Sequence, residues 1–157
     1  MAMESVWIDI FRTFRAEFAD VPDAAEATRI LVRLTMAVLL GGVIGYERES
    51  SGKAAGLRTH MLVALGSALF VLVPLQAGVP LADMSRVLQG LIAGIGFLGA
   101  GAILKQNDEA HIKGLTTAAS IWMVAAIGVA AGLGRDTTAV IATVFTLVIL
   151  QILQRWK

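Results

Sequence analysis

The sequence predicts an all-α integral membrane protein of about five short transmembrane helices preceded by an N-terminal amphipathic helix. Three observations carry that expectation. Hydrophobic residues fill 57% of the 157 positions, mean hydropathy is +0.75, and the charges, Arg33 apart, fall between apolar blocks rather than along a stripe. Ordinary globular chains are nearer half apolar, whereas ~17 to 25 apolar residues are what crosses ~30 Å of hydrocarbon. The chain divides into an amphipathic segment, residues 1–26, and a transmembrane helical domain, residues 27–157.

The first element is helical but too polar to span. Trp7, Ile10, Phe11, Phe14, Phe18 and Val21 fall within roughly 100° of a helical wheel, with Asp9, Arg12, Arg15 and Asp20 elsewhere. Its acids, Asp9, Glu17, Asp20 and Asp23, match poorly the Lys/Arg-rich helices drawn to anionic lipid. It therefore suits either the membrane interface or a partner subunit. The start lacks a basic stretch leading into an apolar core, which excludes a signal peptide. Pro22 and Asp23 mark the break that follows.

Five apolar blocks come next, at residues 30–46, 61–78, 87–104, 115–133 and 137–153. The first contains Arg33, whose long side chain can snorkel toward the headgroups. Arg48, Lys53, Arg58, Lys105, Lys113, Arg155 and Lys157 lie on one side of these spans, and Arg86 and Arg135 occupy the loops opposite. The positive-inside rule then makes the first side cytoplasmic, with the N-terminus outside and the C-terminus in the cytoplasm. Arg12, Arg15, Arg29 and Arg33 run against that orientation.

Two hairpins read as copies. A shift of fifty-eight residues lays Gly41 on Gly99, Lys53 on His111, Gly56 on Gly114, Leu57 on Leu115 and Thr59 on Thr117. Spans one and two then repeat as spans three and four, entering the membrane from the same face, an arrangement some transporters use to build a central site. Chance recurrence of Gly-Leu-x-Thr in a glycine-rich chain is the competing account.

The stretch "GLIAGIGFLGAGAILK" places Gly94, Gly96 and Gly99 in the G-x-G-x-x-G spacing of a dinucleotide loop. That fingerprint needs a strand before it, a helix opening at it and an acidic residue about twenty positions on. Here residues 87–104 hold no charge and only Gln89 is strongly polar, so the glycines sit within a span. Lipid supplies no hydrophobic drive for helix association, and small residues that bring backbones together are the usual means. Gly41/Gly45 and Gly128/Gly132 share the four-residue spacing of Gly90/Gly94. Helix packing is the preferred reading, with a broken helix through residues 94–101 as the further option.

The polar candidates gather on the cytoplasmic side. Glu47 and Arg48 end span one; Arg58, Thr59 and His60 open span two; Lys113, Thr116, Thr117 and Ser120 begin span four. Ionisable groups at membrane depth face a bundle interior or water, so a Glu47–Arg58 pair is expected. Anchoring in the headgroup layer is the plainer role for Arg48, Lys53, Lys105 and Lys113. His60 lacks a defined second ligand and reads more readily as a polar cap than as a metal ligand. Magnesium would take carboxylates and water, for which Glu47, Asp108 and Glu109 are the acids on this side, with Glu47 the one candidate metal ligand.

Several classes drop out. A net charge of +1 without a basic stripe leaves no footprint for nucleic acid. With no cysteine there is no disulfide framework or thiol chemistry. Ser51, Ser67, Ser85 and Ser120 show no nucleophile elbow, and neither paired carboxylates nor a phosphate loop is present, so no enzyme is expected.

Three stretches together, "GGVIGYERESSGKAAGLRTHMLVALGSALF", "GLIAGIGFLGAGAILK" and "GLTTAASIWMVAAIGVAAGLG", resemble the membrane domain of the MgtC/SapB family of bacterial inner-membrane proteins. The resemblance runs from Arg33 to about Leu153. It implies a small helical bundle in the cytoplasmic membrane, linked to magnesium limitation and, in pathogens, to survival inside host cells. Several members look more like regulators of other membrane proteins than like transporters. Glu47, Arg48, Arg58, Thr59, Gly96, Gly99, Thr116 and Thr117 match the motifs and are carried over as the functional or assembly core. Position 60 is His where the family pattern has Asn, and the chain reaches Lys157 without the soluble C-terminal domain of many relatives.

Two expectations follow. The first is a non-enzymatic regulator in magnesium homeostasis, acting through small-residue faces, Gly94 among them, on another membrane protein or in a homodimer. The second is a small transporter or channel for magnesium, protons or another solute, with Glu47, Arg58, Thr59 and Thr117 at a cytoplasmic mouth.

Overall fold

The computed structural model describes residues 2–21, 23–104 and 114–152, and all the regular structure among them is helical. The helices are α1 (Ala2–Glu17), α2 (Ala24–Ser50), α3 (Leu57–Gln76), α4 (Met84–Leu104), α5 (Leu115–Gly132) and α6 (Asp136–Ile152), with a short 3-10 turn at Leu81–Asp83 before α4. The expected Lys105, Asp108, Glu109, His111, Lys113, Arg155 and Lys157, together with Pro22 and Leu153, lie outside the described residues. Four helical segments, Ala24–Ser50, Leu57–Gln76, Leu81–Ile103 and Leu115–Gly132, are long and apolar enough to cross a membrane; α6 is apolar but shorter.

The chain separates into two units, Met1–Val32 and Arg33–Lys157. In the first, α1 exposes Trp7, Ile10, Phe11 and Phe14, and the rings of Phe14 and Phe18 sit 4.9 Å apart. Asp23 caps the start of α2, its Oδ1 accepting the Glu26 N–H at 2.7 Å. The helix therefore begins six residues before the apolar block and runs four past it, which makes Glu47 and Arg48 helical residues rather than loop residues.

In the second unit α5 is the most buried helix, and glycines on α2 and on α5 explain how closely both approach α3. A Cβ at Gly41 would lie 2.7 Å from Ala64 Cβ and 2.8 Å from the His60 carbonyl oxygen, and one at Gly45 would lie 2.8 Å from Leu57 Cα. From α5, a Cβ at Gly132 would lie 2.6 Å from the Ala68 carbonyl oxygen, and one at Gly128 would collide with the Ala64 backbone. These are backbone-to-backbone crossings that only glycine allows. The core they surround includes Ala37, Ile44, Ala64, Ala68, Val124, Ile127 and Ala131, completed by Ala139 and Leu150 of α6. Thr143 and Thr146, buried on α6, return their hydroxyls to the carbonyls of Ala139 and Ala142 at 2.9 and 2.7 Å.

The contacts His60–Ser120, Ala64–Gly128 and Ala68–Gly132 advance together along α3 and α5, so these two helices run in the same direction. Gly41 packs on His60 and Gly99 on Ala118, where a Cβ at Gly99 would lie 3.6 Å from Ala118 Cβ, and both pairs are related by the shift of fifty-eight. The two hairpins thus share a contact as well as a spacing. They differ at the tip, where Gly114 has φ +93° and Gly56 φ −109°.

Three expectations change. The helix through residues 94–101 is continuous, not broken. Among the described residues, nothing packs on Gly90, Gly94, Gly96 or Gly101: a Cβ at each would meet no described atom within 4 Å. The packing role falls instead to Gly41, Gly45, Gly128 and Gly132, because α4 touches α5 along one side and leaves most of its circumference open. Finally, Arg33 does not simply reach for headgroups; its Nη1 donates to the Gly132 carbonyl at 3.3 Å, placing a cation on the negative end of α5.

Candidate functional site

The last turn of α2, the residues 51–56 and the first turns of α3 and α5 bring the polar candidates together. Gly52, at φ +65°, turns the chain, and Lys53 N–H closes on the Arg48 carbonyl at 3.0 Å. Glu49 then reaches forward, its Oε2 accepting the Leu57 N–H at 2.7 Å and so satisfying an orphan donor at the start of α3.

Inside this turn lies a buried acid and a buried base on consecutive residues. Glu47 is 7% exposed and Arg48 1%. Arg48 Nη1 donates to Glu47 Oε2 at 3.4 Å, and Ser51 Oγ donates to Glu47 Oε1 at 3.0 Å. The Nε and Nη2 of Arg48, both buried, have no partner among the described residues. Burying a charge is costly unless it is paired, so this pair constrains how the α2–α3 hairpin closes. The expected Glu47–Arg58 pair does not form among the described residues; Arg58 is exposed, and adjacent Arg48 takes its place.

His60 is fully buried one turn into α3. Its Nδ1 lies 2.8 Å from the Gly56 carbonyl, which can only accept, so Nδ1 carries a proton. Nε2 lies 3.0 Å from Ser120 Oγ, and Ser120 Oγ is 2.8 Å from the Thr117 carbonyl. Ser120 owns one hydroxyl proton for two acceptors if the imidazole is neutral. With Nδ1 protonated, the neutral imidazole accepts at Nε2 from Ser120 Oγ, whose single proton is shared with the Thr117 carbonyl. Glu47 and Arg48 are both close enough to His60 to act on it electrostatically.

Of the residues singled out in the sequence, the structure brings Glu47, Arg48, His60 and Thr117 into buried positions around this turn. Arg58, Thr59 and Thr116 are exposed nearby, and Gln89, Gly94 and Gly96 are exposed on α4. Gly99 is half-buried on Ala118. Sequence reading noticed Ser120 but not that it is the partner of His60; sixty residues separate them, and no local pattern signals the pairing. Glu49 was missed, although an acid shortly before a helix start is a capping signal. As for a resident metal, no group of three ligating side chains exists among the described residues. Glu47, the candidate metal ligand, is engaged by Ser51 and by Arg48.

The apolar spans and the buried ionic turn define a polytopic helical membrane protein whose polar cluster closes a helical hairpin. The MgtC family profile matches residues 34–157, and the chain belongs to that family. It is 47% identical over 129 residues to Protein SrpB of Synechococcus elongatus, covering 75% of this chain and 71% of SrpB. It is 42% identical to Putative magnesium transporter YhiD of Escherichia coli K12, covering 78% of this chain and 59% of YhiD. It is 45% identical to Protein MgtC of Brucella abortus, covering 74% of this chain and 48% of that protein. The chain thus spans about half to seven-tenths of the length of these relatives. No solved structure matches it.

Proposed function

We propose that this protein is a non-enzymatic regulator in the bacterial inner membrane, serving magnesium homeostasis or adaptation to low magnesium through helix contacts with another membrane protein or a second copy of itself. The observation that carries this reading is one face of α4. Gln89, Ala93, Gly96 and Ala100 are all exposed and fall within roughly 60° of the helical wheel. Small residues flanking one amide suit close helix approach with a hydrogen bond across the contact. The magnesium link rests on the family and on the names of relatives such as MgtC and YhiD. The loop cations favour an orientation with the Arg48 end in the cytoplasm and the N-terminus outside.

The test is Gly96→Leu, which has free space within the protomer. The variant is expected to keep its helical spectrum and to lose association measured by energy transfer between labelled copies, or by co-purification with the partner. Retained association in a folded variant would refute the reading. A second reading, a small magnesium or proton transporter, is favoured by the name of the E. coli relative and by the buried Glu47. Liposome flux that Glu47→Gln abolishes would establish it; silence in both folded proteins leaves the regulator.

A further inference from the structure

The face of α4 opposite Gln89 and Gly96 borders a groove of about 600 Å³ between α3 and α4. Its room comes from Gly66 of α3 and from Gly90 and Gly94, none of which has an atom within 4 Å of where a Cβ would sit. Its walls are apolar, with Phe70, Leu91 and Leu98 among them, and Arg86 stands at one end. From the geometry we infer that this groove binds an anionic phospholipid of the surrounding bilayer, one acyl chain along the α3–α4 cleft and the headgroup phosphate on Arg86.

Dimensions decide the occupant. Arg86 lies two residues inside the start of α4, level with the headgroups for a helix that crosses the bilayer. Leu98, at the other end, is about 18 Å deeper along the axis, just past the midplane of a ~30 Å hydrocarbon core. Spread over that length, the groove has a mean cross-section on the order of 30 Å². A single chain reaching from headgroup to midplane fits along it, whereas a helix of ~10 Å diameter would offer it only side-chain tips. With a methylene taken as about the size of a water, ~30 Å³, the volume holds on the order of twenty of them.

Charge selects the headgroup. Arg86 is exposed, and the ion pairs among the described residues, Glu26–Arg29 and Glu47–Arg48, do not involve it. A guanidinium at the membrane surface above an apolar cleft matches a phosphate joined to an acyl chain.

The experiment is native mass spectrometry of the delipidated full chain incubated with phosphatidylglycerol or phosphatidylcholine. The expected result is one retained phosphatidylglycerol per protomer and weaker retention of phosphatidylcholine. Gly94→Leu, which fills the cleft, loses the lipid while keeping the wild-type helical spectrum. Arg86→Gln weakens phosphatidylglycerol about tenfold and removes the preference between the two lipids. Equal binding of both lipids by wild type, or undiminished retention by Gly94→Leu, would overturn the inference. So would a disulfide between Gly66→Cys and a second protein chain, which would put protein in the groove.

Discussion

Replacing Gly128 by Ala tests the central crossing of the bundle with a single methyl group. The added Cβ falls onto the Ala64 carbonyl, with Ala64 C and Cα each 2.9 Å away. The opposing atoms are backbone, so no rotamer change relieves the clash, and α3 and α5 must separate. Overpacking of this kind costs roughly 3 kcal/mol at the upper end of its usual range. Alanine returns up to about 1 kcal/mol through helix propensity. The net expectation is a loss of about 2 kcal/mol, or roughly 30-fold in the folding equilibrium. Reversible unfolding in mixed micelles, followed by far-UV circular dichroism and by the fluorescence of Trp122 on α5, measures it. Gly66→Ala is the control, since a Cβ there meets nothing within 4 Å; propensity alone should leave it as stable as wild type or slightly more so. Equal stability of Gly128→Ala and Gly66→Ala would refute the claim that glycine sets the distance between α3 and α5.

Glu47→Gln strips the buried Arg48 of its counter-charge and should cost about 3 kcal/mol, while Glu47→Gln combined with Arg48→Met should recover much of that loss in the same unfolding assay. Ser120→Ala leaves His60 Nε2 without its partner at 3.0 Å and should cost about 1 kcal/mol; a value indistinguishable from zero would show that the His60–Ser120 contact does not hold α3 to α5. Impermeant thiol labelling of Lys53→Cys and Arg135→Cys in intact cells should modify only the second, as the loop charges require, and labelling of Lys53→Cys alone would invert the orientation.

Hydropathy and charge placement suffice for the helical class and for the approximate position of every span, because partition into lipid is a property of each segment by itself. The family is equally legible, since the Glu47-Arg48, Gly56–Thr59 and Gly114–Thr117 motifs are contiguous in the chain. The Gly41/Gly45 and Gly128/Gly132 spacings also announced close packing, which the contacts on α3 bear out. The same pattern on α4 meets no helix among the described residues at Gly90, Gly94 and Gly96, because spacing says that a helix can be approached and not by what. Gly94 borders an open groove and Gly96 an uncovered face; only the way α3 and α4 diverge separates those roles. Likewise, Glu47 was recognisable as an ionisable group at membrane depth, yet its cation is the adjacent Arg48 rather than Arg58. What the sequence by itself determined is which segments enter the membrane and which residues are unusual there. The tertiary structure decided which of those residues meet, because helix crossing angles and register arise from contacts between segments that no local pattern encodes.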